Sequence, residues 1–213
     1  MNYFIETLLG VFTIDKGEIR VLLMKRKTDP YKGYWCLPGD LLKEETLDDN
    51  IKMITNNLGI PSLYLKQTKS YTGIEFERFN SLAVSYIGLI DSITYLLKRE
   101  EKEDIELEWF DVNLLPKTAF SHEIIINDLY NYFKKQIVNS NILRILFPSD
   151  FTLPELQRIY EQVLNKQLDR RNFRKKLINL GYIIDTGDIN EGYTGRPAKL
   201  YRFKDEIEEK NLF

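Results

Sequence analysis

The sequence predicts two modules, an α/β/α sandwich followed by a small C-terminal winged helix-turn-helix. Three observations predict it. Apolar, strand-like runs alternate with amphipathic helical stretches through about the first 140 residues. A helix-start signature at Thr152-Leu153-Pro154-Glu155 opens two short helices separated by the polar break Asn165-Lys166-Gln167. The second of these helices is crowded with basic side chains and leads into two strand-like runs around a Gly-containing loop.

Length and composition agree with two modules. A chain of 213 residues accommodates a medium domain and a small one. Hydrophobic content of 43% beside 29% charged residues is that of a globular protein with a real core, which excludes a disordered chain. No apolar run is long enough to span a bilayer, and the start Met1-Asn2-Tyr3-Phe4 leads into no signal-type segment. A cytoplasmic protein with no membrane contact is therefore expected. The single cysteine, Cys36 between Trp35 and Leu37, excludes an internal disulfide framework and a cysteine-based zinc site, and is expected to be packed.

Charge is unevenly divided. Residues 141–204 hold 12 Lys and Arg against 7 Asp and Glu, whereas the first 140 hold 17 against 21. The last nine residues carry Asp205, Glu206, Glu208 and Glu209 against Lys210, so the second module alone is basic.

Taken in order, residues 4–14 and 19–25 are apolar runs separated by Asp15-Lys16-Gly17-Glu18, a turn signal between two strands. Residues 25–39 hold two prolines and two glycines and read as a long loop over the sheet. Leu47, Ile51, Ile54 and Leu58 then recur at i, i+4, i+7 and i+11, the stripe of a helix with one apolar face. Residues 63–72 and 82–90 read as strands, and residues 106–110 as a later short one. A helix starts at Phe120-Ser121-His122-Glu123 and runs to about Val138, with Ile125, Leu129, Tyr132 and Phe133 on one side. No Gly- or Ser-rich linker follows, so the first domain is placed at residues 1–138 and the second at 139–213.

In the second domain, Thr152 is the N-cap of a capping box closed by Glu155, with Pro154 in the first turn where its missing N–H costs nothing. The helix continues through Leu156, Ile159, Tyr160 and Val163. Asp169 caps the next helix, whose Phe173, Leu177 and Leu180 face the core. Gly181 ends it. Residues 182–185 and 199–203 are the strands of a wing, with Arg196 at its tip in Thr194-Gly195-Arg196-Pro197.

Two like-charge pairs at i, i+4, Arg170 with Arg174 and Arg171 with Lys175, weaken an isolated helix, and a polyanion relieves that repulsion. Arg170, Arg171 and Asn172 occupy the N-terminal turn, which in helix-turn-helix proteins addresses base edges. Arg174, Lys175 and Lys176 are assigned to phosphates, Arg196 at the wing tip to phosphate or the minor groove, and Lys199 of the wing to DNA binding. The alternative is a solvated basic helix beside an ordinary hairpin. Clustered charge, helix spacing and a basic wing together favour double-stranded DNA as partner.

The stretch GDLLKEETLDDNIKMITNNLGI, residues 39–60, resembles the Nudix box: a Gly, a short acidic loop with a Glu, then Arg-Glu-apolar-x-Glu-Glu-x-Gly-apolar. Anchored on Gly59 and Ile60, its arginine position is Lys52, and its three glutamate positions are Met53, Asn56 and Asn57. No Asp or Glu occurs from residue 50 through 74, so the absence of carboxylates does not depend on register. Magnesium takes hard oxygen ligands, usually including carboxylates. The expectation is a first domain with no catalytic residues, no metal and no cofactor. Glu44, Glu45, Asp48 and Asp49 remain on the loop and first helical turn, where acids suit the helix dipole. The rival reading is a residual hydrolase of ADP-ribose-like diphosphates that uses Glu44 or Glu45; a third is an adaptor whose basic module binds protein or RNA.

Beyond the box, FTLPELQRIYEQVLNKQLDRRNFRKKL, GRPAKLYRF and FSHEI resemble segments of one family, the Nudix-related transcriptional regulators (NrtR-like), over essentially the whole chain. That resemblance implies a homodimer on a pseudo-palindromic operator, acting as a repressor, with a small-molecule effector in the Nudix-like domain. Family members sense ADP-ribose-type nucleotides or, in other branches, sugars, and the sequence leaves both open. Lys25, Arg26 and Lys27 at a strand end are candidate phosphate contacts, and Trp35, Tyr71 and Phe76 are candidate stacking partners, against surface charge and core aromatics as the plain alternative. His122, the only histidine, excludes a histidine metal cluster and is expected to make a helix-start or inter-domain hydrogen bond.

Overall fold

The computed structural model describes residues 4–73, 75, 80–190 and 197–210. By backbone contacts the chain divides into two compact units, one holding Met1–Asp15 with Ile19–Tyr132, the other Lys16–Glu18 with Phe133–Phe213.

The first unit is built on a mixed seven-stranded sheet. Its strands are β1 (Phe4–Asp15), β2 (Glu18–Lys25), β3 (Trp35–Cys36), β4 (Gly39–Leu41), β5 (Tyr64–Tyr71), β6 (Ser81–Leu89) and β7 (Leu107–Asp111). The order is β3-β2-β1-β6-β5, with β4 paired to β1 and β7 to β2. β1 runs parallel to β6 in a register from Phe4 opposite Ser81 to Phe12 opposite Leu89, while β4 with β1, β3 and β7 with β2, and β5 with β6 pair antiparallel. Eight consecutive residues of β1 are buried, the pattern of a strand covered on both faces rather than a half-exposed one.

Helices supply the two covers. Helix α1 (Leu47–Asn57) and helix α2 (Ser92–Lys98) close over one face, where Leu9, Val11, Leu22, Ile51, Ile54, Val84, Tyr86 and Tyr95 form a continuous apolar cluster. Helix α3 (His122–Asn139) lies against the other face through Leu129. Gly10, whose neighbours Leu9 and Val11 point at α1, makes room for it: a Cβ there would stand 2.6 Å from Leu129 Cδ1. The result is the expected α/β/α sandwich.

Helix α1 starts where the sequence signals it. Thr46 Oγ1 accepts the N–H of Asp49 at 3.1 Å. It ends at Gly59, whose φ of +66° lies in the left-handed region and whose Cβ position would fall 1.9 Å from the carbonyl oxygen of Glu100. Glu100 in turn donates its N–H to Gly59 O at 3.0 Å, so the helix end is tied to the segment after α2. Both glycines that frame the Nudix-like stretch thus have a packing reason. At Gly39 a Cβ would sit 2.5 Å from Leu8 Cδ2 and 2.7 Å from Thr7 O.

The second unit holds a short 3-10 helix (Ile142–Ile145), β8 (Phe151–Thr152), α4 (Leu153–Leu164), α5 (Arg170–Leu180), β9 (Ile183–Asn190) and β10 (Ala198–Phe203). Its three-stranded antiparallel sheet has the order β8-β10-β9. The predicted capping box is present: Glu155 Oε2 accepts the Thr152 N–H at 2.6 Å and the Thr152 hydroxyl at 2.8 Å. Tyr160 of α4 and Phe173 of α5 meet edge to face at 5.2 Å, both buried, and fix the two helices to each other. Buried Asn141 holds the C-terminal segment, donating to Glu206 O at 2.8 Å and accepting the Glu208 N–H at 2.7 Å.

Candidate nucleic-acid interface and sensor pocket

The turn between α4 and α5 is fixed by side chains of α4. Asn165 takes the left-handed conformation at φ 50°, which ends the helix. Glu161 Oε1 then accepts the N–H of Leu168 at 2.8 Å, and Gln157 Nε2 donates to Leu168 O at 2.8 Å. Asp169 receives the N–H of Asn172 at 2.9 Å and starts α5. Phe173 and Leu177 are buried and Leu180 is half-buried, so the remaining faces of α5 are presented outward.

Those faces are not equivalent. Arg170, Arg171, Arg174, Lys175, Ile178 and Asn179 fall on one stripe of α5 and line a cleft of about 650 Å³. Across it stand Leu153 and Pro154 at the start of α4, and Pro197, Ala198, Lys199 and Tyr201 at the wing. Among the described residues, five cations and no carboxylate line this space. Asn172 and Lys176, also exposed, are not among the residues that line the cleft. Arg174 and Lys199 converge on Asp185 of β9, at 3.9 and 2.9 Å. The Lys199 ammonium, the Gly187 amide and Arg174 hold that carboxyl below the usual range. Among the described residues, no carboxylate lies within ion-pair distance of Arg170, Arg171 or Lys175. The wing strand β9 extends further than the sequence suggests, to Asn190, and Arg196 lies outside the described residues.

In the first unit, a smaller cavity of about 210 Å³ opens beside β1, β4 and the start of α3. Arg26, Glu6, Asp40, Phe120 and His122 bring polar and aromatic groups to it, and Leu8, Met24, Leu37 and Leu41 line the apolar part. The Arg26 guanidinium sits 4.8 Å from the centre of the Phe120 ring. His122 accepts the Leu37 N–H on Nδ1 at 2.9 Å, which leaves its other ring nitrogen to carry the proton. This is a helix-start hydrogen bond that also fastens the loop before β4. Burial, and secondarily the charge of Arg26, push the His122 pKa down to about 4. Cys36 is buried in the same wall with its thiol directed at Met24 O, at 3.3 Å.

Of the expected ligand contacts, Arg26 lines this cavity. Lys25 pairs instead with Glu106 at 2.9 Å and lies over the ring of Trp35, and Lys27 pairs with Asp104 at 3.1 Å. Tyr71 donates to Asp128 at 3.2 Å. Phe76 lies outside the described residues.

Sequence reasoning missed Asn50, the buried polar centre of this region. Its amide donates to Thr7 Oγ1 at 2.6 Å and Leu41 O at 3.2 Å and accepts the Lys43 N–H at 2.8 Å. Only its position one residue before Ile51 of the apolar stripe hinted that it is buried. On the rest of α1, Met53 packs half-buried against the apolar cluster and Lys52 pairs with Asp49, while Asn56 and Asn57 are exposed. Among the described residues, no group of three or more His, Cys, Asp or Glu is placed to share a metal ion, and no helix is long and apolar enough to cross a membrane.

Comparison with known proteins connects both sites. Residues 143–203 match the NrtR DNA-binding winged helix domain. The chain is 31% identical over 201 residues to the ADPR responsive transcriptional repressor NtrR of Acinetobacter baylyi, covering 92% of this chain and 80% of that protein. It is also 31% identical over 130 residues to the ADP-ribose pyrophosphatase of Methanocaldococcus jannaschii, a match covering 59% of this chain and 74% of that enzyme. The fold matches the crystal structure of Shewanella oneidensis NrtR complexed with a 27mer DNA, with a TM-score of 0.76 at 25% identity, over 94% of this chain and 93% of that one. With a relative 31% identical over 92% of this chain and 80% of its own length, the chain belongs to the NrtR family, in which a Nudix domain is joined to a winged helix-turn-helix.

Proposed function

We propose that this chain is a DNA-binding transcriptional repressor whose Nudix domain responds to a small molecule and does not hydrolyse it. The observation that carries the DNA reading is the cleft lined by Arg170, Arg171, Arg174, Lys175 and Lys199, with no carboxylate among the described residues of its wall. A phosphodiester strand is the polyanion that such a space accepts. Arg170, Arg171 and Asn172 address bases, while Arg174, Lys175, Lys176, Arg196 and Lys199 hold phosphates. The division of labour is residues 1–138 for sensing and 139–213 for DNA. The protein acts in the cytoplasm as a homodimer on a pseudo-palindromic operator.

The absence of hydrolysis is supported by α1. At the box positions of α1, where a magnesium ion takes carboxylate oxygens, stand a half-buried methionine, two exposed amides and a lysine. These residues do not fit the metal. The effector occupies the cavity at Arg26, Phe120 and His122. The naming of the Acinetobacter baylyi relative supports an ADP-ribose-type nucleotide, and a sugar is the other class.

Both halves are tested together by measuring fluorescence anisotropy of the duplex upstream of the chain's own coding region, with and without ADP-ribose or free pentoses. Sequence-selective binding released by one of these ligands is expected. Binding that is salt-sensitive but indifferent to sequence overturns the repressor reading. Magnesium-dependent cleavage of ADP-ribose that is lost in Glu44→Gln or Glu45→Gln overturns the non-catalytic reading.

A further inference from the structure

The irregular segment of the wing has a purpose that the basic cleft alone does not explain. Lys199 stands opposite Ile189, and Tyr201 stands opposite Asp185, so β9 spends extra residues, Thr186 to Asp188, against Leu200. This is a bulge, the device by which a strand re-aims a side chain. Gly187 takes φ +85° there, and the hydroxyl of Thr186 donates to Leu200 O at 3.1 Å, which secures the bulge to β10. The Gly187 N–H then donates to Asp185 Oδ1 at 3.1 Å. One carboxylate oxygen is thus bound to the backbone of the bulge, and the other is presented in a fixed direction.

Oδ2 receives the Lys199 ammonium at 2.9 Å and faces Arg174 Nη2 at 3.9 Å. The Arg174 guanidinium also lies 5.9 Å from the ring of Tyr201, the cross-strand neighbour of Asp185. A cation from the helix and a cation from the wing, one on each wall of the cleft, therefore share one rigid acceptor. Exposed ion pairs of this kind contribute little to folding stability. A carboxylate beside a polyanion site also opposes binding. Neither consideration favours a negative charge here, whereas geometry does.

We propose that Asp185 is a positioning residue for DNA recognition: it spaces Arg174 and Lys199 as a pair that fits one phosphodiester strand between α5 and the wing. The proposal rests on the DNA reading above. It fixes where α5 stands relative to the backbone, and so which base edges Arg171 reaches.

Charge and geometry predict opposite signs, which makes the test decisive. The full-length chain is used to select a duplex from a random-sequence pool, and affinities for that duplex and for a mixed-sequence duplex are then measured for Asp185→Asn, Lys199→Met and the double variant. Positioning predicts that Asp185→Asn loses about tenfold on the selected duplex while binding the mixed duplex as well as the parent or better. Retained binding to the mixed duplex also shows that the module is folded. The loss from Asp185→Asn is smaller in the Lys199→Met background, because the pair no longer exists to be spaced. If Asp185→Asn binds the selected duplex as tightly as the parent or more tightly, the carboxylate is only an opposing charge and the proposal is overturned. A parent chain that enriches no sequence from the pool overturns the DNA reading itself, a result distinct from any behaviour of the variants.

Discussion

His122 Nδ1 accepts the backbone N–H of Leu37 at 2.9 Å, joining the first residue of α3 to the loop that precedes β4. The acceptor must be an unprotonated nitrogen, and burial pushes the imidazole pKa from 6.5 to about 4. Because the folded pKa lies below the unfolded one, the unfolded chain binds more protons between these values. Stability present above pH 6.5 is therefore lost as pH falls towards 4, by on the order of 3 kcal/mol. Urea unfolding across that window should show a loss in the parent chain that His122→Phe lacks. Parallel pH profiles in the two proteins would refute the assignment.

Gly59→Ala should destabilise the first unit by about 2–4 kcal/mol. The position combines φ +66° with a Cβ placed 1.9 Å from Glu100 O, so relief requires backbone movement at the end of α1. Chemical denaturation checks this. A change below about 0.5 kcal/mol would mean that the contact is not maintained in solution.

Asn50→Ala should cost about 2 kcal/mol, since it leaves Lys43 N–H and Leu41 O without their side-chain partner in a protected site. Asn50→Asp cannot donate to Thr7 or Leu41 and should not rescue the loss. Equal stability of Asn50→Asp and the parent would show that the donor half of the amide is dispensable.

Arg171→Ala should weaken binding to the selected duplex by about 1–3 kcal/mol and relax preference at the bases it addresses. Lys176→Ala, at a residue that does not line the cleft, should weaken all sequences alike and reduce the salt dependence of binding. Reversal of the two outcomes would reassign the base-reading and phosphate-holding residues.

What was legible in the sequence was what repeats or what sits at a boundary. The stripe at Leu47, Ile51, Ile54 and Leu58 gave α1, and the Thr152 and Glu155 signature gave α4, because periodicity and capping are local physics. Helix α2 was hidden for the same reason in reverse. Ile93, Leu96 and Leu97 are 62%, 80% and 77% exposed, so its apolar residues do not mark its buried side, which is Tyr95 alone. β8 is two residues long and is set by pairing with β10, some 50 residues away.

The candidate sites followed the same division. The basic stripe of α5 could be read directly, since its cations lie one helical turn apart. Asp185 and Asn50 could not, because each matters through partners that only the fold brings near. At the end of β2, Lys25 and Arg26 look interchangeable in sequence. Alternation along the strand sends them different ways, Lys25 to Glu106 and Arg26 to the cavity.

The parallel pairing of β1 with β6 has a consequence for synthesis. Phe4 aligns with Ser81 and Phe12 with Leu89, so the ribosome must add about 77 residues before the first strand meets its central neighbour. At ordinary elongation rates that interval is roughly 4–15 s. During it, β1, which has the longest run of buried residues among the described strands, lacks its central neighbour, and a chaperone or a stray sheet edge competes for it. The order of strands in this sheet thus makes translation speed one of the conditions under which the chain reaches its fold.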